Sequence, residues 1–272
     1  MREAEPIRSL QNPQVKAWAS LLGKKGRDEA GRFLVEGAHL VAEALRSGFE
    51  VTEVLYVPGS PAAEEVSAAA DRARTAVWVP VAEQVMEKVT DARTPQGVAA
   101  VVKQREMTLD ELFQGSRPSA RRAYVAVDAV QDPGNLGTIL RSADAAGAQA
   151  VLIGAGTADV YNPKTIRSTM GSLFHIPFVA CDLAEALRLA KAAGVRVVGT
   201  SLAATRSCYE AELGDAVCFL VGNEGAGVSP RLQALADDSV IIPMRGGAES
   251  LNVAMATTVL LYEALRQREY SK

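Results

Sequence analysis

The sequence predicts two α/β domains, of which the second is built on a mainly parallel β-sheet. Apolar strand-like runs alternate with helix-like segments along both halves of the chain, and this alternation is typical of parallel sheets. A polar stretch at residues 103–122 separates the halves, and 272 residues suffice for two domains of ordinary size. We therefore expect a first domain at 1–104, a linker at 105–122 and a second domain at 123–272.

The first domain is predicted to be a small α/β layer. It begins with a basic helical segment over residues 12–27, in which Val15, Trp18, Leu21 and Leu22 form one apolar stripe. Alternating strand-like and helix-like segments follow, and they lie at residues 32–37, 38–48, 51–57, 61–73, 76–80, 81–89 and 97–103.

The second domain shows the alternation more clearly. Its predicted strands and helices lie in turn at residues 123–130, 135–148, 150–154, 162–174, 178–181, 183–194, 195–201, 216–222, 229–236, 240–244 and 251–269. The sheet should be covered by helices on both faces. Ligands of such sheets bind beyond the carboxyl ends of the strands, so the turns after the strands are the places to search for a site.

Composition excludes several functional classes. The two histidines, His39 and His175, are too few for a multi-histidine metal site, and none of the three cysteines lies in a C-x-x-C pair. We expect no metal. Apolar runs long enough for a membrane span and a secretory signal are absent, so we expect a cytoplasmic protein. Nucleotide-binding glycine motifs are also absent, which disfavours a dinucleotide oxidoreductase or a P-loop enzyme.

The charge distribution points to an anionic partner for the first domain. The net charge of the chain is −3, but residues 1–33 hold seven basic side chains against four acidic ones. Phosphate contacts need such cations, and the candidates for RNA binding are Lys24, Lys25, Arg27 and Arg32. A second basic cluster comprises Arg117, Arg121 and Arg122. Either cluster alone is equally typical of a solvated surface.

Three turns that follow predicted strands carry polar side chains among glycines. The first, D-P-G-N-L-G-T-I-L-R at residues 132–141, contains Asn135, which can cap the next helix, and Arg141. The second, L-V-G-N-E-G-A-G at residues 220–227, places Asn223 and Glu224 in a tight loop.

The third turn, I-I-P-M-R-G-G-A-E-S-L-N-V-A-M, spans residues 241–255. Ser250 is placed to cap the last helix. Asn252 brings an amide to a helix start that is otherwise apolar, and a buried amide there needs specific partners. Each of the three turns is a weak signal by itself.

Together, the motifs resemble the SpoU, or TrmH-like, branch of the SPOUT RNA methyltransferases. N-L-G-T-I-L-R-S-A-D-A-A-G-A, L-V-G-N-E-G-A-G and I-P-M with E-S-L-N-V-A-M-A are similar to its three motifs in order and spacing. The resemblance covers residues 124–268. Residues 5–104 resemble the ribosomal-protein-like substrate-binding domain of this branch, most clearly in F-L-V-E-G-A-H-L-V-A-E-A-L.

The resemblance implies a deep trefoil knot in the C-terminal part, a homodimer, and a ribose 2'-O-methyltransferase that uses S-adenosylmethionine. The cofactor pocket would be lined by Thr200, Leu220, Gly222, Ile242, Met244, Leu251 and Val253. The active site would contain Asn135, Arg141, Glu224, Ser250 and Asn252.

Several alternatives stay open at this point. The two-domain layout favours large-subunit (23S) ribosomal RNA over transfer RNA as the substrate. A non-catalytic RNA-binding protein of the same fold is a further alternative, although all five active-site positions are intact. Arg141 could act as a general base or could hold the phosphate and steer the hydroxyl; a guanidinium is a poor base because it is almost always protonated in proteins.

Overall fold

A computed structural model describes residues 5–69, 76–114 and 122–270. The chain divides into two compact units, one of Met1–Arg105 with Asp159–His175 and one of Glu106–Ala158 with Ile176–Lys272. The end of the helix predicted over residues 61–73, together with Arg117 and Arg121 of the second basic cluster, lies outside the described residues. No helix in the described ranges is long and apolar enough to cross a bilayer.

The secondary structure follows the predicted alternation closely. In chain order the elements are α1 (Pro13–Ser20), α2 (Lys24–Ala30), β1 (Arg32–Glu36), α3 (Ala38–Arg46), β2 (Val51–Tyr56), α4 (Pro61–Ala69), β3 (Val77–Pro80), α5 (Glu83–Val89), β4 (Val98–Lys103), α6 (Leu109–Gln114), β5 (Ala123–Val127), α7 (Pro133–Ala145), β6 (Ala150–Ile153), α8 (Pro163–Thr169), β7 (Phe178–Ala180), α9 (Leu183–Ala192), β8 (Arg196–Thr200), β9 (Arg206–Ser207), β10 (Val217–Val221), α10 (Pro230–Gln233), β11 (Asp238–Ile241) and α11 (Val253–Glu269). The helix α6 and the two-residue strand β9 are additions to the prediction.

The first unit is built on a four-stranded mixed sheet in the order β1-β4-β2-β3. Strand β4 pairs antiparallel with β1 and β2, whereas β3 is parallel to β2. One apolar core joins Trp18 of α1, Leu55 of β2, Met86 of α5 and Val101 of β4, all of which are buried.

The basic helix predicted over residues 12–27 is interrupted, and its last residue does not face solvent. The chain turns at residues 21–23 between α1 and α2, which leaves carbonyl groups without helical partners. The Arg27 guanidinium donates to the carbonyl oxygens of Leu21 and Leu22 at 2.9 and 2.8 Å and pairs with Asp159 at 2.7 Å. Its side chain is only 2% exposed. The prediction that Arg27 binds RNA is therefore wrong, because its guanidinium is buried and is bound to protein groups of the same unit.

Residues 159–175 belong to the first unit, although the sequence predicts them to lie in the second domain. The Tyr161 ring lies 4.6 Å from that of Phe33, and the Phe174 ring lies 5.3 Å from that of Phe49. The helix predicted over 162–174 ends early because Met170 adopts a left-handed conformation, with φ 49°. A short 3-10 turn then covers Ser172–Phe174.

The second unit contains a seven-stranded sheet in the order β7-β6-β5-β10-β8-β11-β9, and every pair in it is parallel. Strands β5, β6 and β10 are buried along their whole length, as expected for strands covered on both faces. The predicted fold class is thus confirmed, whereas the trefoil knot stays a prediction.

The helices of the second unit pack against its sheet and against one another. Helix α9 packs on one face of the sheet, and α6, inside the stretch predicted as a linker, adds Leu112 and Phe113 to that core. Helices α7 and α11 pack against each other and contact β5, β6 and β10. A hydrogen bond of 2.7 Å between the hydroxyls of Ser142 and Thr258 joins the two helices.

Candidate active site

The second unit brings four central strands to one edge, where three of the sequence motifs meet. Strands β5, β10, β8 and β11 are parallel neighbours, so their carboxyl ends lie side by side. Val221 lies opposite Val127, and Thr200 lies opposite Val240. The loops that follow these strands therefore emerge at the edge where ligands bind in such sheets.

The loop at residues 223–227 closes on itself after β10. Asn223 and Gly227 exchange backbone hydrogen bonds of 2.9 Å in both directions. The side-chain Oδ1 of Asn223 accepts from the backbone amides of Gly225 and Ala226, each at 3.0 Å. Gly227 has a φ of 70°, which glycine adopts without steric cost. The loop is therefore a defined turn that presents Glu224.

The carboxylate of Glu224 joins this turn to the loop between β5 and α7. It accepts hydrogen bonds from the backbone amides of Gln131 and Asp132 at 3.2 and 3.1 Å and from Nδ2 of Asn135 at 2.9 Å. Partial desolvation acts to raise the pKa of Glu224, but these hydrogen bonds outweigh it, and its pKa lies below the ordinary value. The side chain is thus ionised at neutral pH and its oxygens are occupied.

Asn135 and Asn252 extend the network to α11. The Nδ2 of Asn252 donates to Oδ1 of Asn135 at 2.9 Å. The Oδ1 of Asn252 accepts from the backbone amides of Ala254 and Met255 at 2.9 and 3.4 Å. Each amide thus has its oxygen facing donors and its nitrogen facing an acceptor, a pattern that fixes the orientation of both side chains.

Two predicted helix caps are wrong. Asp132, not Asn135, caps α7 by accepting from the backbone amide of Asn135 at 2.9 Å. Asn252, not Ser250, caps α11. The sequence predicted Asn135 as a helix cap and Asn252 as an amide that needs specific hydrogen-bond partners. In the structure Asn252 both caps α11 and has such a partner in Asn135.

Arg141 and Ser250 stand apart from the hydrogen-bonded cluster. Arg141 follows Asn135 by six residues, which places it roughly 240° around the axis of α7. Its side chain is exposed and has no polar partner within the described residues. Ser250 is likewise exposed, and no described residue is hydrogen-bonded to its hydroxyl. The structure thus connects Asn135, Glu224 and Asn252 directly, and leaves Arg141 and Ser250 free for a ligand.

The residues predicted to line a cofactor pocket lie at the same edge. Thr200 ends β8 and donates to the carbonyl oxygen of Leu220 at 3.2 Å. Leu220 is fully buried in the core on the α9 side of the sheet, between strands β5 and β8. Ile242 and Met244 follow β11, and Leu251 and Val253 flank the start of α11. These four are partly or fully exposed, as an apolar ligand surface requires.

Gly222 is buried at the base of the 223–227 turn. A Cβ atom there would lie 2.1 Å from the backbone carbon of Gly227 and 2.2 Å from the backbone nitrogen of Val228. Glycine is therefore required by the turn itself. A side chain at this position would deform the turn rather than project into a cofactor.

Sequence reasoning missed three contributors to the site. Asn223 was noted only as a neighbour of Glu224. Asp128, at the end of β5, accepts from the backbone amide of Ser229 at 2.8 Å and thereby fixes the start of α10. Ala129 has a φ of 55°, and its residue type carries no signal of this conformation. The aspartate directly after a buried strand was the one available signal.

A polar network and exposed apolar side chains lie beyond the central strands of the parallel sheet. This arrangement is that of an α/β protein that binds an organic ligand at this edge. The chain belongs to the SpoU rRNA Methylase family, whose model matches residues 122–262. An MRM3-like substrate binding domain model matches residues 12–100. The family resemblance carried by the three motifs and by the first domain is confirmed.

Individual relatives match nearly the whole chain. The sequence is 41% identical to 23S rRNA (guanosine(2553)-2'-O)-methyltransferase RlmP of Bacillus subtilis, over 94% of this chain and 97% of that protein. It is 35% identical to a 23S rRNA (uridine(2479)-2'-O)-methyltransferase of Streptomyces viridochromogenes, over 95% and 91%. A crystal structure of an AdoMet-bound rRNA methyltransferase from Sinorhizobium meliloti matches with a TM-score of 0.86 at 38% identity, covering 98% and 99%.

The lowered pKa of Glu224 leads to a prediction about stability. A carboxyl whose pKa is lower in the folded state stabilises the fold above its unfolded pKa, about 4.3, and this contribution disappears as the pH falls through the folded-state pKa. We expect Glu224→Gln to lower the free energy of unfolding by roughly 1 kcal/mol at pH 7, a modest value because the site is exposed.

Urea denaturation at pH 7 and at pH 3.5 measures this difference, which should shrink in acid. Glu249→Gln is the matched control, because Glu249 is exposed in the loop before α11 and should change the free energy of unfolding little at either pH. An equal loss for Glu224→Gln at both pH values would contradict the assigned role.

Proposed function

We propose that this protein is an S-adenosylmethionine-dependent methyltransferase that modifies a ribose 2'-hydroxyl of large-subunit ribosomal RNA in the cytoplasm. The observation that carries the proposal is the hydrogen-bonded chain Glu224–Asn135–Asn252, which joins all three SpoU motifs at one edge of the sheet. The named activities of RlmP and of the Streptomyces viridochromogenes relative support the substrate class. The two relatives are named for a guanosine and a uridine respectively, so their names do not identify the base of the nucleotide that this protein modifies.

The residues at the strand ends fit S-adenosylmethionine. Ile242, Met244 and Leu251 offer apolar surface for an adenine ring, and the strand-end backbone at Thr200 and Gly222 offers polar groups at its rim. The Sinorhizobium meliloti structure is of a protein bound to this cofactor. When bound, the cofactor supplies a methyl group activated by a sulfonium sulfur.

The acceptor must lose a proton as its oxygen is methylated, and the clustered side chains are poorly suited to remove it. The two asparagine amides are neutral, and the Glu224 carboxylate, with its lowered pKa, already accepts four hydrogen bonds, the fourth from Nδ2 of Asn223 at 3.5 Å. We infer that the network orients the ribose and the cofactor. Arg141, exposed and without a polar partner among the described residues, is the group that would hold the adjoining phosphate and steer the hydroxyl, whose proton would pass to solvent. Positioning of this kind contributes large rate factors.

We assign RNA docking to the first unit. Lys24 and Lys25 of α2 have side chains that are 67% and 89% exposed, and their partners Asp28 and Glu29 lie on the same exposed helix surface. Such pairs are weak and exchange readily for phosphate. Arg32, at the start of β1, is also exposed. Lys24, Lys25 and Arg32 therefore remain the candidates for RNA binding in the basic segment.

We propose that the protein acts as a homodimer through α11. The apolar surface of this helix is smaller than its sequence indicates, because Leu260 and Leu261 are buried inside the same chain. Met255, Val259 and Tyr262 remain on one stripe, and Met255 and Tyr262 are 52% and 47% exposed. Two large apolar side chains on one exposed stripe favour burial against a second copy.

The function is tested by mapping 2'-O-methylation across total RNA with and without the gene, and by methyl transfer from labelled S-adenosylmethionine to purified RNAs. We expect methylation of large-subunit rRNA.

Arg141→Ala should reduce the rate of methylation by roughly 100-fold, because misplacement of the acceptor is costly. Arg188→Ala is the control, because it removes an exposed arginine of α9 and should leave the rate unchanged. Label confined to transfer RNA would support the tRNA alternative, and no transfer to any RNA would leave a non-catalytic RNA-binding protein.

Docking on α2 is tested by charge reversal. Lys24→Glu combined with Lys25→Glu should weaken binding to the rRNA fragment and reduce the salt dependence of the affinity by about 0.7–0.9 logarithmic units for each lost contact. Arg27→Ala is the contrasting variant, because removing one partner of a buried ion pair should cost about 3 kcal/mol of stability without changing the salt dependence. An unchanged affinity in the double variant would place the docking surface elsewhere.

The dimer is tested by light scattering at micromolar protein. Met255→Asp combined with Tyr262→Asp should yield a monomer, because two charges would be buried at the contact. Tyr270→Asp is the control, since Tyr270 is exposed beyond the end of α11. A monomeric natural chain, or a dimer that survives the double substitution, would contradict the assignment.

A further inference from the structure

The side chain of Asn223 is hydrogen-bonded at both ends, and the two ends serve different loops. Its Oδ1 accepts from the amides of Gly225 and Ala226 and closes the 223–227 turn. Its Nδ2 donates to the carbonyl oxygen of Ala129 at 2.9 Å, across to the loop between β5 and α7, and more weakly to Oε2 of Glu224 at 3.5 Å. One side chain therefore shapes its own turn and ties that turn to a second loop.

Ala129 is held in an uncommon backbone conformation. Its φ of 55° lies in the left-handed region, and among the non-glycine residues that the structure describes only Met170 shares this property. An L-residue adopts this conformation at an energetic cost, so it persists where surrounding contacts impose it. The hydrogen bond from Asn223 is such a contact, because it fixes the direction of the Ala129 carbonyl.

The backbone amides that bind Glu224 lie two and three residues beyond Ala129. The direction of the chain at Ala129 therefore sets where the amides of Gln131 and Asp132 point. Glu224 directly follows Asn223, so the two residues connect the same pair of loops. Loss of the Asn223–Ala129 bond would shift these amides relative to the carboxylate, and Asn135 with them.

We propose that Asn223 is a positioning residue for methyl transfer, acting on the Glu224–Asn135–Asn252 network mainly through Ala129 and also through its weaker hydrogen bond to Glu224. The inference rests on the proposed function, since it assumes that this network orients the reactants. Asn223 contacts the reacting groups only through the residues it positions. Its two ends make the idea testable, because a substitution can remove one end and keep the other.

Asn223→Asp is the separating variant. A carboxylate retains the oxygen that accepts from Gly225 and Ala226, but it replaces the Nδ2 donor with an oxygen that the Ala129 carbonyl repels. Its second oxygen also faces the Glu224 carboxylate, because it replaces the Nδ2 that donates to Oε2 of Glu224 at 3.5 Å. This like charge should raise the pKa of the introduced carboxyl, and once protonated its hydroxyl can donate to Ala129 again.

Asn223→Ala is the matched variant, because alanine lacks both the Oδ1 acceptor and the Nδ2 donor. We expect both substitutions to reduce kcat for RNA methylation by roughly 100-fold at pH 8. The rate of Asn223→Asp, relative to the natural chain, should recover as the pH is lowered toward 5.5, whereas Asn223→Ala should show no recovery. A merely destabilised protein would give a constant ratio.

Amide hydrogen exchange followed by NMR separates this inference from the proposed function. In Asn223→Asp the amides of Gln131 and Asp132 should exchange faster, while those of Gly225 and Ala226 stay protected. If the natural chain transfers no methyl group, the proposed function fails, and the exchange rates still show whether Asn223 fixes the loop. Unchanged exchange at Gln131 and Asp132, or a pH-independent rate ratio, would overturn the inference.

Discussion

The carboxylate of Glu224 holds together three segments that lie far apart in the sequence. It accepts from two backbone amides of the loop after β5 and from Asn135, which in turn accepts from Asn252 at the start of α11. Each bond is exposed and contributes modestly to stability. Their joint effect is geometric, because a short chain of fixed amides sets the distances between strand ends, and those ends form the proposed cofactor and ribose site.

A network of this composition favours one kind of catalysis. Amides and an already occupied carboxylate remain in one protonation state across the neutral range, so the arrangement of the site does not change with small shifts in pH. Its contribution comes from preorganisation: groups are held in place before the reactants arrive, and little reorganisation is needed during the reaction. Gly222 serves the same end, because the absence of a side chain lets the backbone at Gly227 and Val228 pack closely against it.

Much of this arrangement could be predicted from the sequence, and the failures have identifiable causes. Strands such as β5 and β10 are continuous apolar runs, and the glycine-containing polar turns that follow them pointed to the site. The cap of α11 was misassigned because Ser250 and Asn252 are both residue types that cap helices well and lie two residues apart. Arg27 was misread because its partner Asp159 lies 132 residues away. The conformation of Ala129 depends on a tertiary contact and leaves no trace in residue type.

Residues 159–175 carry a consequence for how such a protein can be assembled by recombination. The chain passes between the two units after Arg105, after Ala158 and after His175, so the N-terminal unit is not a simple prefix to a methyltransferase. A chimaera that exchanged only residues 1–105 with a homologue would separate Asp159 from Arg27 and Tyr161 from Phe33. The first unit is encoded by two separate stretches of the chain, and a chimaera that exchanges this unit must carry both.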